Sequence, residues 1–165
     1  MTNQKSKEIS QEQLFLHKSL ATIKLKDALL SLTAIELCGK CIAMKTVVPA
    51  LIRDAIVQYG SAFKYGNINH KRGHKLDILY IPEKHLKLHQ QMITYRDQLY
   101  AHIDFDTKNP VKMKNENNIY YKLNDSSLQV CIDSIPEMKS LILCILQKLG
   151  NEIIEEHQKI LEKEF

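Results

Sequence analysis

Residues 86–103 read Leu-Lys-Leu-His-Gln-Gln-Met-Ile-Thr-Tyr-Arg-Asp-Gln-Leu-Tyr-Ala-His-Ile. Turned through 100° per residue, this stretch puts Leu88, Met92, Tyr95, Leu99 and Ile103 on one apolar stripe. Ile93 and Tyr100 widen the stripe to one side. That periodicity predicts a buried-face helix running from about Glu83, opened by Pro82, to Ile103. Arg96 falls inside the apolar arc and His102 at its edge. A guanidinium in such a place is costly unless it is paired or faces a cleft, with Asp97, Asp104 and Asp54 as candidate acids. A face that mixes large apolar groups with Arg and His also suits a seam between two copies of a chain.

On the N-terminal side the pattern is again helical. Residues 1–9 are polar and aperiodic, and read as a flexible tail. Ser10 with Gln13 three positions on has the form of a capping box. Leu14, Leu20, Ile23, Leu25, Ala28, Leu29, Leu32, Ile35 and Leu37 then recur at threes and fours, which predicts a helix to about Met44. Pro49 fits the first turn of a second helix, from about Val48 to Phe63, with Gly60 and Gly66 marking its exit. Residues 64–75 carry Lys64, Lys71, Arg72 and Lys75 with His70, His74, Gly66 and Gly73, and from Lys64 on no acid appears until Asp77. This reads as an exposed basic loop.

On the C-terminal side, residues 104–118 are polar and asparagine-rich, with Pro110, and read as loop. Ile119–Leu123 and Leu128–Ile132 flank Asn124-Asp125-Ser126-Ser127 in the manner of a short hairpin. Pro136 opens a last helix with a stripe of Leu141, Ile142, Ile145, Leu146, Leu149, Ile153, Ile154 and Leu161. The expectation is therefore one all-α, four-helix-bundle-like domain over residues 1–165, with a short hairpin before the last helix.

Totals agree with one such domain. The chain has 165 residues, 44% hydrophobic and 25% charged, with a formal net charge of +4; its length sits within the ~100–200 residues usual for a domain. No apolar run approaches the ~18–20 residues of a spanning helix, so no membrane role is expected. The polar first thirteen residues lack the apolar core of a secretory signal, which predicts a cytoplasmic protein. There, Cys38, Cys41, Cys131 and Cys144 are expected as packing thiols, not disulfides. Cys38-Gly39-Lys40-Cys41 lies in a helical pattern, not after a strand, and reads as packing. His85 and His89 stand four apart, but without a third ligand they read as surface histidines, not a metal site. The mild positive charge permits a nucleic-acid partner only where it is clustered. Glu152, Glu155, Glu156, Glu162 and Glu164 confine the basic character to other regions. No Walker A loop, dinucleotide fingerprint or HExxH motif is present.

Tyr95-Arg-Asp-Gln-Leu-Tyr-Ala-His-Ile-Asp104 resembles the signature of the HEPN family: Arg, a polar residue, a short spacer, then His. The family pattern allows four to six residues between Arg and His, and five stand here. Tyr100-Ala-His-Ile-Asp104 also resembles the form found in prokaryotic HEPN proteins of toxin–antitoxin and phage-defence systems. The resemblance implies a metal-independent endoribonuclease that needs no cofactor. In it the ribose 2′-OH attacks the adjacent phosphate, leaving a cyclic phosphate and a free 5′-OH. His102 suits proton transfer near neutrality, and Arg96 supplies a permanent cation for the phosphorane. Asp97 would orient either of them. Tyr95 and Tyr100 can hydrogen-bond phosphate or stack a base, and Lys71, Arg72 and Lys75 can hold RNA phosphates. The resemblance further implies a homodimer around one cleft and control by an antitoxin or sensor protein. Two other readings are distinguishable. A non-catalytic module of the same type, binding a nucleotide or a partner, tolerates a buried Arg–His pair. A plain helical interaction protein would have Arg96 neutralised within the subunit by an acid such as Asp54.

Overall fold

The computed structural model describes residues 10–37, 44–64, 67–68, 71–72, 75–100, 110–114, 119–123 and 126–164. The expected tail at residues 1–9 and the Cys38–Cys41 motif lie outside the described residues, as do His102 and Asp104.

Helix α1 spans Gln11–Leu37. Its start is the reciprocal cap that the sequence predicts: the Ser10 amide donates to Gln13 Oε1 at 3.3 Å and the Gln13 amide to Ser10 Oγ at 3.2 Å. Two donors that would otherwise be orphaned at a helix start are thereby satisfied. Ala21, Leu25, Ala28, Leu32 and Ile35 form its buried face. Helix α2 spans Met44–Ala62, and Pro49 lies inside it, not in its first turn. The helix thus tolerates one missing amide donor about a turn and a half from its start. Val48, Ile52, Ala55, Ile56, Tyr59 and Ala62 are buried on it, with Phe63 buried just past its end.

After α2 the chain runs through a two-residue antiparallel ladder, β1 (Asn67–Ile68) and β2 (Lys71–Arg72), within the region read as loop. Leu76 is then tied back to α2 by its amide, which donates to the Ala62 carbonyl at 3.0 Å. The Asp77 carboxylate caps a 3-10 turn over Ile78–Tyr80, and a second 3-10 turn, Glu83–His85, leads into helix α3 at Leu86–Tyr100. Residues 101–103, expected to continue that helix, lie outside the described residues.

Strands β3 (Pro110–Lys114) and β4 (Ile119–Leu123) pair antiparallel, with Lys112 opposite Tyr121. This corrects the expected hairpin. Ile119–Leu123 is indeed a strand, but its partner precedes it, in the segment read as loop. The segment expected as the second strand belongs to helix α4, Ser126–Asp133. Leu128, Cys131, Ile132 and Ile135 recur at threes and fours there, a helical spacing that a five-residue apolar run hides. Helix α5 spans Ile135–Glu164, with Pro136 in its first turn as expected.

Helix α1 lies between α2 and α5, α3 packs on α2, and α4 touches both α2 and α5. Three ion pairs at two places set α1 antiparallel to α5. Near one end Lys18 reaches Glu152 at 2.7 Å and Glu156 at 2.5 Å, and near the other Lys139 reaches Glu36 at 2.6 Å. Burial works against the charge on Lys18, but hydrogen bonds to the two glutamates outweigh it and hold the ammonium on. Met138, Leu141, Ile142, Ile145 and Leu149 of α5 complete one core with Leu25, Leu32, Ile56 and Met92. Among the described residues the framework is thus four long helices and one short one, with two small hairpins. No helix among them is long and apolar enough to cross a membrane. Cys131 is buried and Cys144 half-buried, and neither is in a disulfide.

Candidate functional site

The buried face of α3 begins with two histidines that the sequence suggested would lie on the surface. His85 and His89 are both buried, at 6% and 7% exposure. The Tyr59 hydroxyl and His89 Nδ1 are 2.7 Å apart, and Phe63 meets the His89 ring edge-on at 4.7 Å between centroids. Burial lowers the His89 pKa and raises that of Tyr59, so both stay neutral near pH 7. A helix that places His85, Leu88, His89 and Met92 at threes and fours has its histidines in the core stripe, and their apolar neighbours decide their burial. No group of three metal-ligating side chains occurs among the described residues.

Arg96 continues this face one turn after Met92, where it leaves the core. The arginine stem lies directly on the backbone of α2 at Gly60. A Cβ placed on Gly60 would stand 2.8 Å from Arg96 Cγ, 3.2 Å from Cβ and 3.3 Å from Cδ. Gly60 lies near the end of α2, as expected, but within the helix, where it also gives the arginine room. The Arg96 side chain is 30% exposed, and its Nη1 donates to Asp97 Oδ1 at 3.1 Å. Asp97 is shared. The Lys64 ammonium, at the C-terminal end of α2, donates to both of its carboxylate oxygens. Hydrogen bonding from Lys64, with a smaller contribution from Arg96, holds the Asp97 carboxyl below the usual carboxylate range against the opposing effect of burial.

Two cations on one carboxylate leave a net positive charge at a half-exposed position. Such a cluster attracts an anion, and the planar guanidinium favours phosphate geometry. Asp54, the acid that would have neutralised Arg96 in an ordinary interaction protein, is engaged elsewhere. It accepts from Ser31 Oγ at 2.6 Å and from Gln58 Nε2 at 3.3 Å.

Of the remaining site residues read from the sequence, Tyr95 is half-buried and packs against the core cluster. Burial, and then the nearby Cys131, raise its pKa. Tyr100 is the last residue of α3, Lys71 and Arg72 form β2, and Lys75 is exposed just after it. The structure therefore brings Arg96, Asp97 and Lys64 together. His102 lies outside the described residues, two positions beyond α3. Gly60 is a site residue that sequence reasoning did not single out, although it carried a signal, since a glycine inside a helical pattern marks a close approach. Lys64 was read as part of the basic loop, but its pairing with Asp97 carried no signal, because the two stand 33 positions apart.

A shallow groove of about 470 Å³, lined by Glu36, Pro136, Lys139, Leu143 and Cys144 among others, runs between the end of α1 and the start of α5.

No family model matches this chain, and neither a curated protein nor a solved structure is significantly similar to it.

Proposed function

We propose that this protein is a metal-independent endoribonuclease of HEPN type, acting in the cytosol as a toxin or phage-defence effector. The observation that carries the reading is the state of Arg96. Its stem is seated on Gly60, its guanidinium emerges from an apolar helix face, and among the described residues it pairs with one carboxylate, which it shares with a second cation. A structural arginine at such a position would be matched by a carboxylate of its own. This one retains charge for a phosphate.

In the reaction, His102 takes the proton from a ribose 2′-OH, and that oxygen bonds the adjacent phosphorus. The 5′-oxygen leaves with the electrons of the broken P–O bond and is protonated. The products are a 2′,3′-cyclic phosphate and a 5′-OH end. Arg96 stabilises the phosphorane, worth about 2.7–4 kcal/mol for one well-placed donor in comparable sites. Asp97, ionised by its two cations, fixes the direction of the guanidinium. Tyr95 and Tyr100 contact the substrate, and Lys71, Arg72 and Lys75 extend the phosphate track along the chain. The four-helix framework, a homodimer around the motif, and an antitoxin or sensor protein as regulator belong to the same reading.

A second reading draws on the same cluster. A net positive charge held by Lys64 and Arg96 suffices to bind a nucleotide or phosphorylated partner without cleavage, as a non-catalytic module of this type would. End chemistry separates the two. Incubation of an RNA oligonucleotide and its all-2′-deoxy counterpart in chelator should give cyclic-phosphate ends from the first and no products from the second. Cleavage of both strands, or 3′-OH ends, would exclude the 2′-OH mechanism, and binding without products would favour the module.

A further inference from the structure

The C-terminal end of α2 presents two adjacent rows to α3. Tyr59 and Phe63, four positions apart, hold the His89 ring. The Tyr59 hydroxyl lies 2.7 Å from its Nδ1, and the two aromatic ring centroids stand 5.8 Å and 4.7 Å from its own. Gly60 and Lys64, each one position further on, seat Arg96 and bind Asp97. One turn of α2 and the two residues after it therefore hold both a buried histidine and the charged cluster. His85 lies four positions before His89, in the 3-10 turn that leads into α3, and is buried as well. Its Nε2 is buried with no hydrogen-bond partner among the described residues.

We infer that these histidines are an acid switch on the cluster: protonation of His89 and His85 opens the α2–α3 seam and withdraws Gly60 and Lys64 from Arg96 and Asp97. A neutral imidazole can serve the Tyr59 bond in either tautomer, whereas an imidazolium must donate at both nitrogens. Neither histidine forms an ion pair among the described residues. The surroundings offer no carboxylate for the charge. Helix α3 packs chiefly on α2 and on the 3-10 turn Glu83–His85. On α2, Asp54 is held by Ser31 and Gln58, Arg53 is exposed and Tyr59 is neutral. Lys64, just past that helix, is itself a cation. In the turn, Glu83 and Lys84 are exposed, as is Lys87 on α3. Asp97 is already shared between Lys64 and Arg96. Burial accordingly lowers the His89 pKa, and a second charge on His85, four positions away, would repel the first. The open form takes up the protons that the closed form refuses, so acid favours opening. The switch acts on the cluster whatever anion it binds, and so does not rest on the ribonuclease reading.

Amide hydrogen exchange of the full chain, followed by NMR at about pH 7.5 and about pH 5 and corrected for the intrinsic pH dependence of exchange, tests it without RNA. An exposed histidine titrates near 6.5, so each ring kept neutral in the closed form can raise the open fraction by up to about thirtyfold at pH 5. Protection of residues 59–64 and 89–97 should fall by about tenfold or more at the lower pH, while Leu25 of α1 and Leu141 of α5 stay protected. His85→Gln with His89→Gln cannot titrate there, and the glutamine at 89 can still accept from the Tyr59 hydroxyl. That variant should lose the acid response. The wild type alone also decides the matter: the His89 ring should titrate below about 6.5, over the pH range in which the seam loses protection. Equal protection at the two pH values overturns the inference. So does an acid loss that persists in the double variant, or one that reaches α1 and α5 to the same degree, which would be global unfolding.

Discussion

Gly60→Ala offers the sharpest test of how the arginine is held. Replacing a glycine inside a helix by alanine ordinarily stabilises it by about 0.5–1 kcal/mol, because the unfolded chain loses freedom. Here the added methyl would stand 2.8 Å from Arg96 Cγ and 3.2 Å from Cβ. Cγ is one bond from a Cβ fixed to α3, and turning it aside would swing the guanidinium off Asp97, so α2 and α3 separate slightly. Overpacking of this kind costs about 1–3 kcal/mol. The net expectation is a loss of about 1 kcal/mol, or a fall in Tm of about 2–4 °C for a domain of this size. With Arg96→Ala, Cγ and Cδ are gone and only the milder Cβ contact remains. Gly60→Ala should then be neutral or stabilising, giving a coupling of about 1–2 kcal/mol between the two positions. Thermal and urea unfolding of the four proteins in the cycle measure this directly. The same variant should depress any RNA cleavage by about a hundredfold, since it displaces the guanidinium without removing it. A higher Tm for Gly60→Ala in the wild-type background, or an equal shift in both backgrounds, would refute the close packing of Arg96 on α2.

Other consequences follow from the charges around the site. The Asp97 carboxyl titrates below its ordinary value because of Lys64 first and Arg96 second. Its stabilising effect is therefore full above the unfolded pKa of about 3.9 and is lost as pH falls through the lower folded value. NMR titration should place the midpoint below that of a free aspartate, and Lys64→Met should raise it more than Arg96→Ala does. An unshifted midpoint in the wild type would remove the shared-carboxylate arrangement. Neutralising Lys71, Arg72 and Lys75 together should weaken RNA binding and reduce the slope of log K against log salt by about 2, at ~0.7 per phosphate contact on a single strand. An unchanged slope would take these residues out of the RNA track.

The helices were legible because their signals are local. The Ser10–Gln13 cap, the core stripe of α1 and the proline at the head of α5 each need only a few neighbouring residues to read. Pro49 was misplaced because α2 extends five residues before it, and the proline lacks a donor without preventing the turn from forming. The hairpin was half right. Five apolar-rich residues at 128–132 fit strand and helix equally, and only packing of Cys131 and Ile135 into the core decides between them. Burial of His85 and His89 was missed for a related reason. A histidine in a core stripe is readable as buried only once a partner such as Tyr59, 30 positions away, is known. Arg96 was legible from helical angle alone, and its freedom from Asp54 was not, since Ser31 and Gln58 engage that acid. Lys64 enters through a contact between the end of α2 and the last turns of α3, which no local pattern encodes.

The most direct test of the ribonuclease is cleavage of total RNA, in chelator, by the purified wild type beside Arg96→Ala and His102→Ala, each shown to be folded. The account predicts cleavage by the wild type, and loss of about a hundredfold or more in either variant, as expected for removing a transition-state cation or a proton-transfer group. Wild-type turnover by His102→Ala or Arg96→Ala would contradict it, and a folded wild type that binds RNA but never cuts it would leave the cluster as a phosphate-binding site alone.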